Sequence, residues 1–180
     1  MQTMQMRRLW MWLWGNLRAP RGLFETASIL RAARREDWAS VASRLQTARL
    51  MRRLDSLELG YLGAALLRLE RYDELVREFD LLDRSADHAG LEALRPYFAS
   101  ALLWLERNQE ALEQFEQMRG EDATRTHKAL RHWNHAIALY RVGRTHDARD
   151  LLLERIDDAW PRPEFAQALT LLRSMGIEAH

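Results

Sequence analysis

A short pattern recurs four times along the chain, each time between two stretches of helical periodicity. It occupies residues 36–41, 71–75, 107–111 and 143–148. When Val41, Leu75, Ala111 and Ala148 are taken as equivalent, the recurrence distances are 34, 36 and 37 residues. A repeat near this length in helical sequence is typical of stacked helix pairs, in which neighbouring pairs bury a continuous core. Such folds mainly present surfaces to partners, so the pattern predicts binding rather than catalysis.

Each copy carries apolar residues at the spacing of one helix face, then a break, then a second run of the same kind. The core positions that this predicts are Leu59, Leu62, Gly63, Leu66, Leu75, Phe79 and Leu82 in the second copy, Phe98, Ala99, Leu102, Ala111, Phe115 and Met118 in the third, and His135, Ala136, Leu139, Ala148 and Leu152 in the fourth. Small residues such as Gly63, Ala99 and Ala136 would let paired helices cross closely, and Phe79 and Phe115 would fill the space beside them.

This arrangement resembles the tetratricopeptide repeat family, and the resemblance covers roughly residues 22–158. It implies an all-α, right-handed helix-pair solenoid of about four repeats, at residues 22–54, 55–88, 89–122 and 123–158. The first copy departs from the family pattern, because Ile29 stands where a small residue is usual and Glu25 and Ser28 occupy positions that normally pack inward. We therefore expect the first pair to differ in packing geometry from the other three.

The residues after the repeats predict a short closing helix within residues 159–180. Pro161 and Pro163 cannot continue a preceding helix, and Pro163 suits the first turn of a new one. Phe165, Leu169 and Leu172 then follow at the spacing of one helix face. Because the last repeat of a solenoid would otherwise expose an apolar face, we interpret this helix as a cap.

Residues 1–21 are basic and rich in tryptophan, and they predict an amphipathic helix with Met6, Leu9, Trp10, Leu13, Trp14 and Leu17 on one face. The residues that we expect to make contacts are Arg7, Arg8, Trp10, Trp12, Trp14 and Arg18. The apolar run at residues 9–14 is far shorter than the roughly 20 residues that cross a bilayer. Three interpretations stay open: a helix folded back on the first repeat, an interfacial helix on an anionic membrane, and a helix bound by a protein partner or a second copy. We expect a cytoplasmic protein, which under the second interpretation is peripheral on the inner face of the membrane.

Charge is distributed unevenly, although the whole chain carries a formal charge of only +1. Residues 1–35 hold seven arginines against Glu25 alone, a net charge of +6, and residues 36–180 sum to −5. An acidic body disfavours an RNA-binding helical repeat, the rival function from another class, because that function needs a basic groove. The chain has no cysteine, which excludes disulfides, thiolate zinc sites and cysteine nucleophiles.

In the tetratricopeptide family the first helix of each pair lines a concave groove, and the resemblance gives this role to the residues at matching positions. The candidate partner residues are Arg34, Arg68, Trp104, Trp133, Tyr140 and Arg141, and Leu57, Gly60, Ser100 and Leu103 belong to the same set. An apolar surface with aromatic and arginine anchors would take an amphipathic helix or an extended peptide with acidic side chains. The terminal-carboxylate clamp of the chaperone-binding members has no counterpart, since Thr26 and Leu30 occupy its first positions.

Sequence motifs of catalysis are missing: there is no glycine-rich phosphate loop, no nucleophile elbow and no H-E-x-x-H pair. His132 and His135 share a helix face, but both occupy positions that pack inside a helix pair, where histidine is usually a core residue rather than a metal ligand. We therefore expect no enzyme activity, no cofactor and no metal. The predicted function is a non-catalytic scaffold, adaptor or assembly factor for protein partners, docked on a membrane or membrane complex by its N-terminal helix. A non-catalytic subunit of an enzyme complex is the alternative.

Overall fold

The structure is a computed structural model that describes residues 26–118, 125–155 and 162–176. All regular structure in these ranges is helical, which confirms the predicted all-α class. The described helices are α1 (residues 26–34), α2 (Trp38–Met51), α3 (Ser56–Arg68), α4 (Tyr72–Arg84), α5 (His88–Trp104), α6 (Asn108–Gln117), α7 (Arg125–Arg141), α8 (Thr145–Arg155) and α9 (Arg162–Ser174). In this part of the chain, no helix is both long enough and apolar enough to cross a membrane.

The recurring pattern corresponds to the same tight turn between α1 and α2, α3 and α4, α5 and α6, and α7 and α8. One residue of each turn has a left-handed backbone: φ is 57° at Glu36, 58° at Glu70, 60° at Glu106 and 86° at Gly143. The following amide donates back to the preceding helix, in the bonds Asp37 N to Ala32 O (3.0 Å), Arg71 N to Leu66 O (2.9 Å), Arg107 N to Leu102 O (2.9 Å) and Arg144 N to Leu139 O (2.9 Å). Bonds of this kind satisfy carbonyl groups that the helix end leaves without a partner. A further left-handed residue, Ala86, joins α4 to α5.

The main helix packing joins elements that are neighbours or next-but-one neighbours in the chain. α3 packs on α5, α5 on α7 and α7 on α9, while α4 and α6 pack against the helices that flank them. The central core is formed by fully buried leucines, among them Leu45, Leu62, Leu66, Leu94 and Leu102. A smaller cluster of Ala136, Leu152, Ala168 and Leu172 joins α7, α8 and α9. Ile29 of α1 is buried in the central core, so its large side chain is accommodated where the repeat pattern favours a small one.

The small residues of the repeat are buried at helix contacts, and one of them contacts a different helix from the one that the sequence suggests. Ala99, Ala111, Ala136 and Ala148 are completely buried. At Gly63 an added Cβ would lie 2.7 Å from Tyr97 Cδ2 and 2.8 Å from Leu94 Cδ1. Both neighbours belong to α5, whereas the sequence pattern placed the close crossing between the paired helices α3 and α4. The tight contact at Gly63 therefore joins one helix pair to the next.

The N-caps of α4 and α6 and the residue before α8 are arginines that pair with a carboxylate three residues later. The guanidinium-to-carboxylate distance is 2.6 Å in Arg71–Glu74, Arg107–Glu110 and Arg144–Asp147. These arginines lower the pKa values of Glu74 and Glu110. Two of these arginines also contact the helix pair before their own, because Arg71 donates to Gln46 of α2 at 3.3 Å and Arg144 donates to Glu116 of α6 at 2.6 Å. Because exposed ion pairs contribute little to stability, we interpret the two contacts to the preceding helix pair as fixing its position relative to the next pair.

Candidate partner-binding surface

Four of the predicted partner residues occupy equivalent places in the fold. Arg34 ends the described part of α1, and Arg68, Trp104 and Arg141 are the last residues of α3, α5 and α7. Each lies directly before the tight turn that leads to the second helix of its pair. We call this row, together with Tyr140, the turn edge.

Three turn-edge residues rest on the first residue of the second helix in the preceding pair. The Arg68 guanidinium lies 5.5 Å from the ring centroid of Trp38, where α2 begins. The ring of Trp104 stacks on Tyr72, where α4 begins, with centroids 6.2 Å apart and planes 8° apart. Arg141 donates to Leu103 O at 2.8 Å and to Asn108 Oδ1, where α6 begins, at 3.5 Å. At this equivalent position, successive helix pairs thus meet through a cation–π contact of Arg68, an aromatic stack of Trp104 and a hydrogen bond of Arg141.

The turn edge keeps large groups in solvent despite these contacts. Trp104 is 62% exposed and Tyr140 is 40% exposed. A tryptophan ring with so much of its apolar area in water is uncommon in a packed fold and is typical of contact surfaces. Its position between Arg68 and Arg141 in the row makes it the centre of the candidate surface.

The two flanking arginines contact neutral groups rather than carboxylates. Arg68 faces an indole, and Arg141 donates to a carbonyl and an amide oxygen. Within the described ranges, neither forms a salt bridge, in contrast to Arg71, Arg107 and Arg144 beside them. The guanidinium groups of Arg68 and Arg141 are therefore in no ion pair in this part of the chain, and their positive charge favours an anionic group from a partner.

Trp133 is the predicted partner residue that lies apart from the turn edge. It precedes Arg141 by eight residues, about 12 Å along α7. With Ala166, Gln167, Thr170, Leu171 and Ser174 it lines an open depression of about 410 Å³ between α7 and α9. The predicted set therefore divides into a row of five residues and one separate tryptophan.

Two other residues that were predicted to line the groove are buried instead. Ser100 and Leu103, which the family resemblance placed on the groove, are buried, because α7 packs over this side of α5. Ser100 accepts a 2.8 Å hydrogen bond from Asn134 of α7.

The contact residues predicted in the N-terminal segment lie outside the described residues; they are Arg7, Arg8, Trp10, Trp12, Trp14 and Arg18. Among the described residues, no group of three histidine, aspartate or glutamate side chains is arranged to hold a metal ion.

In comparisons with known proteins, the chain matches no protein-family model, no curated protein and no solved structure.

Trp38, Tyr72 and Asn108 are the parts of this surface that the sequence did not single out as contacts. They occupy the same place in the recurring pattern, two residues after the left-handed residue of each turn. Two of them are aromatic, and that repetition is the feature from which their role could have been inferred.

His135 takes the core position that Leu62 and Phe98 hold in the other pairs. Its ring stacks on Phe115 of α6, with centroids 5.5 Å apart and planes 14° apart. Burial lowers the pKa of His135 from its ordinary value of 6.5, and Arg144 and Arg131 act in the same direction against Glu116. The α6–α7 contact therefore accommodates a neutral histidine.

We expect the free energy of unfolding to fall as the pH drops below about 6.5, because the unfolded chain then takes up a proton at His135 more readily than the folded chain. The substitution His135→Phe, which restores the residue type of Phe98, should reduce this loss between pH 7.5 and 5.5. Urea unfolding at both pH values measures it, with His146→Gln, at an exposed histidine, as control. An identical pH dependence in the wild type and His135→Phe would show that this histidine is not the cause.

Proposed function

We propose that the chain is a right-handed, tetratricopeptide-like solenoid of four helix pairs closed by α9, and that it acts as a non-catalytic scaffold for protein partners. Support for the repeat comes from the left-handed turn at four equivalent positions and from packing between helices close in sequence. A fold of this kind offers a long surface made of equivalent positions. Its specificity then depends on which side chains occupy those positions.

The exposed Trp104, stacked on Tyr72 between Arg68 and Arg141, is the observation that carries this proposal. Tryptophan and arginine contribute strongly to binding when a partner removes them from water. Because these two arginines have no carboxylate partner in the described structure, the expected ligand is a helix or extended segment with acidic side chains around an apolar anchor. Adaptors and assembly factors work through segments of this type.

Reversing two charges on the turn edge tests the scaffold proposal. We expect Arg68→Glu with Arg141→Glu to weaken retention of bound partners by about tenfold or more, because like charges would then face the acidic segment. The measurement is quantitative capture of proteins from soluble and membrane fractions by immobilised chain. The control variant, Arg84→Glu with Arg155→Glu, makes the same charge change at exposed residues of α4 and α8.

Two results decide whether the turn edge is the binding surface. Matching thermal unfolding of both variants would show that any loss of binding is not a loss of fold. If every partner captured by the wild type is also retained by the turn-edge variant, the turn edge is not the binding surface.

The proposal includes docking on an anionic membrane through residues 4–17, which lie outside the described residues. Its support is the net charge of +6 in residues 1–35, together with three tryptophans at residues 10, 12 and 14. Arginine is attracted to anionic lipid, and tryptophan partitions into the headgroup region. Flotation with anionic vesicles should carry the full chain and should fail for a chain lacking residues 1–21; equal flotation of both would contradict docking through this segment.

A further inference from the structure

The turn edge places one side chain on each successive helix pair. Arg68, Trp104 and Arg141 end α3, α5 and α7, and these helices pack side by side in that order. The axes of packed helices lie about 8–10 Å apart, so Arg68 and Arg141 are separated by two such steps, about 16–20 Å. Each of the three side chains reaches back by one helix pair, which leaves the spacing between them unchanged. A ligand that contacts all three must therefore present its own side chains at this interval.

Polyproline II is the backbone conformation whose period fits this interval. It has about three residues per turn and rises about 3.1 Å per residue, so the side chains on one face recur at about 9.3 Å. A β-strand returns to the same face after about 6.6 Å. An α-helix does so after about 5.4 Å in one turn, or about 10.5 Å in two turns. Of these conformations, polyproline II alone places one side chain on each helix pair at a step of about 8–10 Å.

Three aromatic side chains of this surface carry hydrogen-bond donors that have no protein acceptor within the described ranges. They are the indole N–H groups of Trp38 and Trp104 and the hydroxyl of Tyr72. Burial and the charge of Glu70 raise the pKa of Tyr72, so its hydroxyl keeps the proton that it can donate. A polyproline II segment has no internal hydrogen bonds, and its carbonyl groups are free to accept from such donors. An α-helix uses its carbonyl groups internally and would leave the donors unpaired.

The aromatic stack at the centre of the turn edge suits an apolar ligand residue between two charged ones. Tyr72 stacks on the Trp104 ring, and 62% of Trp104 is still exposed to solvent. Proline-rich segments dock on aromatic surfaces of this kind at a low entropic cost, because their conformation is formed before binding. Arg68 and Arg141, on either side, contact only neutral groups in the described structure and are available to carboxylates.

We propose that the turn edge binds a polyproline II segment with the pattern acidic–x–x–apolar–x–x–acidic, in which proline is favoured at x and one turn of the ligand lies on each helix pair. The inference rests on the proposed function of the turn edge and specifies its ligand. The apolar side chain lies on Trp104, and the two carboxylates pair with Arg68 and Arg141. The spacing then selects among acidic partners, because a segment of the same composition with another interval cannot reach both arginines.

Two peptides of identical composition test the spacing. The matched peptide is Pro-Asp-Pro-Pro-Leu-Pro-Pro-Asp-Pro and the shuffled peptide is Pro-Pro-Asp-Pro-Leu-Asp-Pro-Pro-Pro, each with an N-terminal fluorescein and an amidated C-terminus. In fluorescence anisotropy, we expect the matched peptide to bind the full chain at least about fivefold more tightly, because only its carboxylates can reach both arginines. Tyr72→Phe keeps the aromatic ring and removes the hydroxyl donor, and it should weaken binding of the matched peptide by about threefold.

Exchanging the charges of both components gives a second test. A peptide with lysine in place of both aspartates of the matched peptide should bind Arg68→Glu with Arg141→Glu at least about fivefold more tightly than it binds the wild type. The control Arg84→Glu with Arg155→Glu should bind the acidic and the basic peptide as the wild type does. If the basic peptide shows no preference for the turn-edge variant, the pairing of the ligand charges with Arg68 and Arg141 is wrong.

A helical peptide, with leucine midway between two acidic residues about 21 Å apart, represents the other ligand geometry. The polyproline II inference is overturned if this peptide binds more tightly than the matched peptide, if the matched and shuffled peptides bind equally, or if no peptide binds at millimolar concentration. Partner capture then decides the proposed function separately. Loss of capture by Arg68→Glu with Arg141→Glu would keep the turn edge as the binding surface for a different ligand, whereas retention of every partner would overturn both proposals.

Discussion

Replacing Phe79 by alanine should lower the free energy of unfolding by about 3–5 kcal/mol, the usual cost of deleting a buried phenylalanine. Phe79 of α4 and Phe98 of α5 are both buried, and their rings stack with centroids 3.9 Å apart and planes 7° apart. The Arg95 guanidinium lies 5.7 Å from the Phe79 ring centroid on the same helix interface. The substitution therefore removes a large apolar area, an aromatic pair and a cation–π contact together.

The size of this effect follows from where the two rings meet. α4 ends the second helix pair and α5 begins the third, so the stack joins two pairs in the middle of the chain. Urea unfolding followed by circular dichroism measures the change. Leu81→Ala on the same helix is the matched control, because the Leu81 side chain is 46% exposed and its loss should cost less than about 1 kcal/mol. Equal losses in the two variants would show that the α4–α5 interface is not packed as described.

Gly63→Ala should destabilise the chain by about 1–3 kcal/mol, although alanine favours helix more than glycine does. The new methyl group would lie within 2.9 Å of atoms of Leu94 and Tyr97, side chains that are themselves buried in α5. Tyr97 has little freedom to move aside, and its burial is also what raises its pKa to about 12. To make room, α3 and α5 would have to separate.

Gly60, one turn earlier in α3, offers a control of opposite sign. A Cβ at this position would meet no atom within 4 Å. Gly60→Ala should therefore stabilise the chain by up to about 1 kcal/mol through helix propensity alone. Thermal unfolding of the two variants gives the comparison, and stabilisation by Gly63→Ala would contradict the close approach of α3 and α5.

Gly63 and its counterpart Ala99 face the next helix pair at positions where that pair differs in sequence. Opposite Gly63 stands Tyr97, whereas the equivalent position of α7 holds the smaller Asn134. Asn134 instead reaches Ser100 with a 2.8 Å hydrogen bond. The recurrence distance alone does not reveal that the tyrosine at one contact between pairs is replaced by an asparagine at the next.

Periodicity in the sequence was sufficient for the helical class, for the place of the turns and for most core positions. Leu62, Leu66, Leu102 and Ala148 are all buried, as the spacing of apolar residues predicted. These features depend on residues near one another in the chain, where helix geometry relates position to side-chain direction. His135 shows the limit, since its core position was predicted but its stack on Phe115 was not.

Contacts between successive pairs were harder to predict, because they depend on how far one pair is displaced relative to the next. Arg68, Trp104 and Arg141 were identified as equivalent, yet their partners Trp38, Tyr72 and Asn108 came only from the structure. Trp133 was grouped with them by the family resemblance, but it lines the depression beside α9. The exposure of Leu50 and Met51 at the end of α2 was not predicted, because their counterparts in the next copy, Arg84 and Ser85, are polar.

The affinity of the turn edge for an acidic partner segment tests the central claim most directly. Once a partner has been captured, its bound segment can be titrated calorimetrically against the wild type, Arg68→Glu with Arg141→Glu, and the control Arg84→Glu with Arg155→Glu. We predict binding that is at least about tenfold weaker for the turn-edge variant alone, with unchanged thermal unfolding. Equal affinity for all three proteins would contradict a partner site built on Trp104 and its flanking arginines.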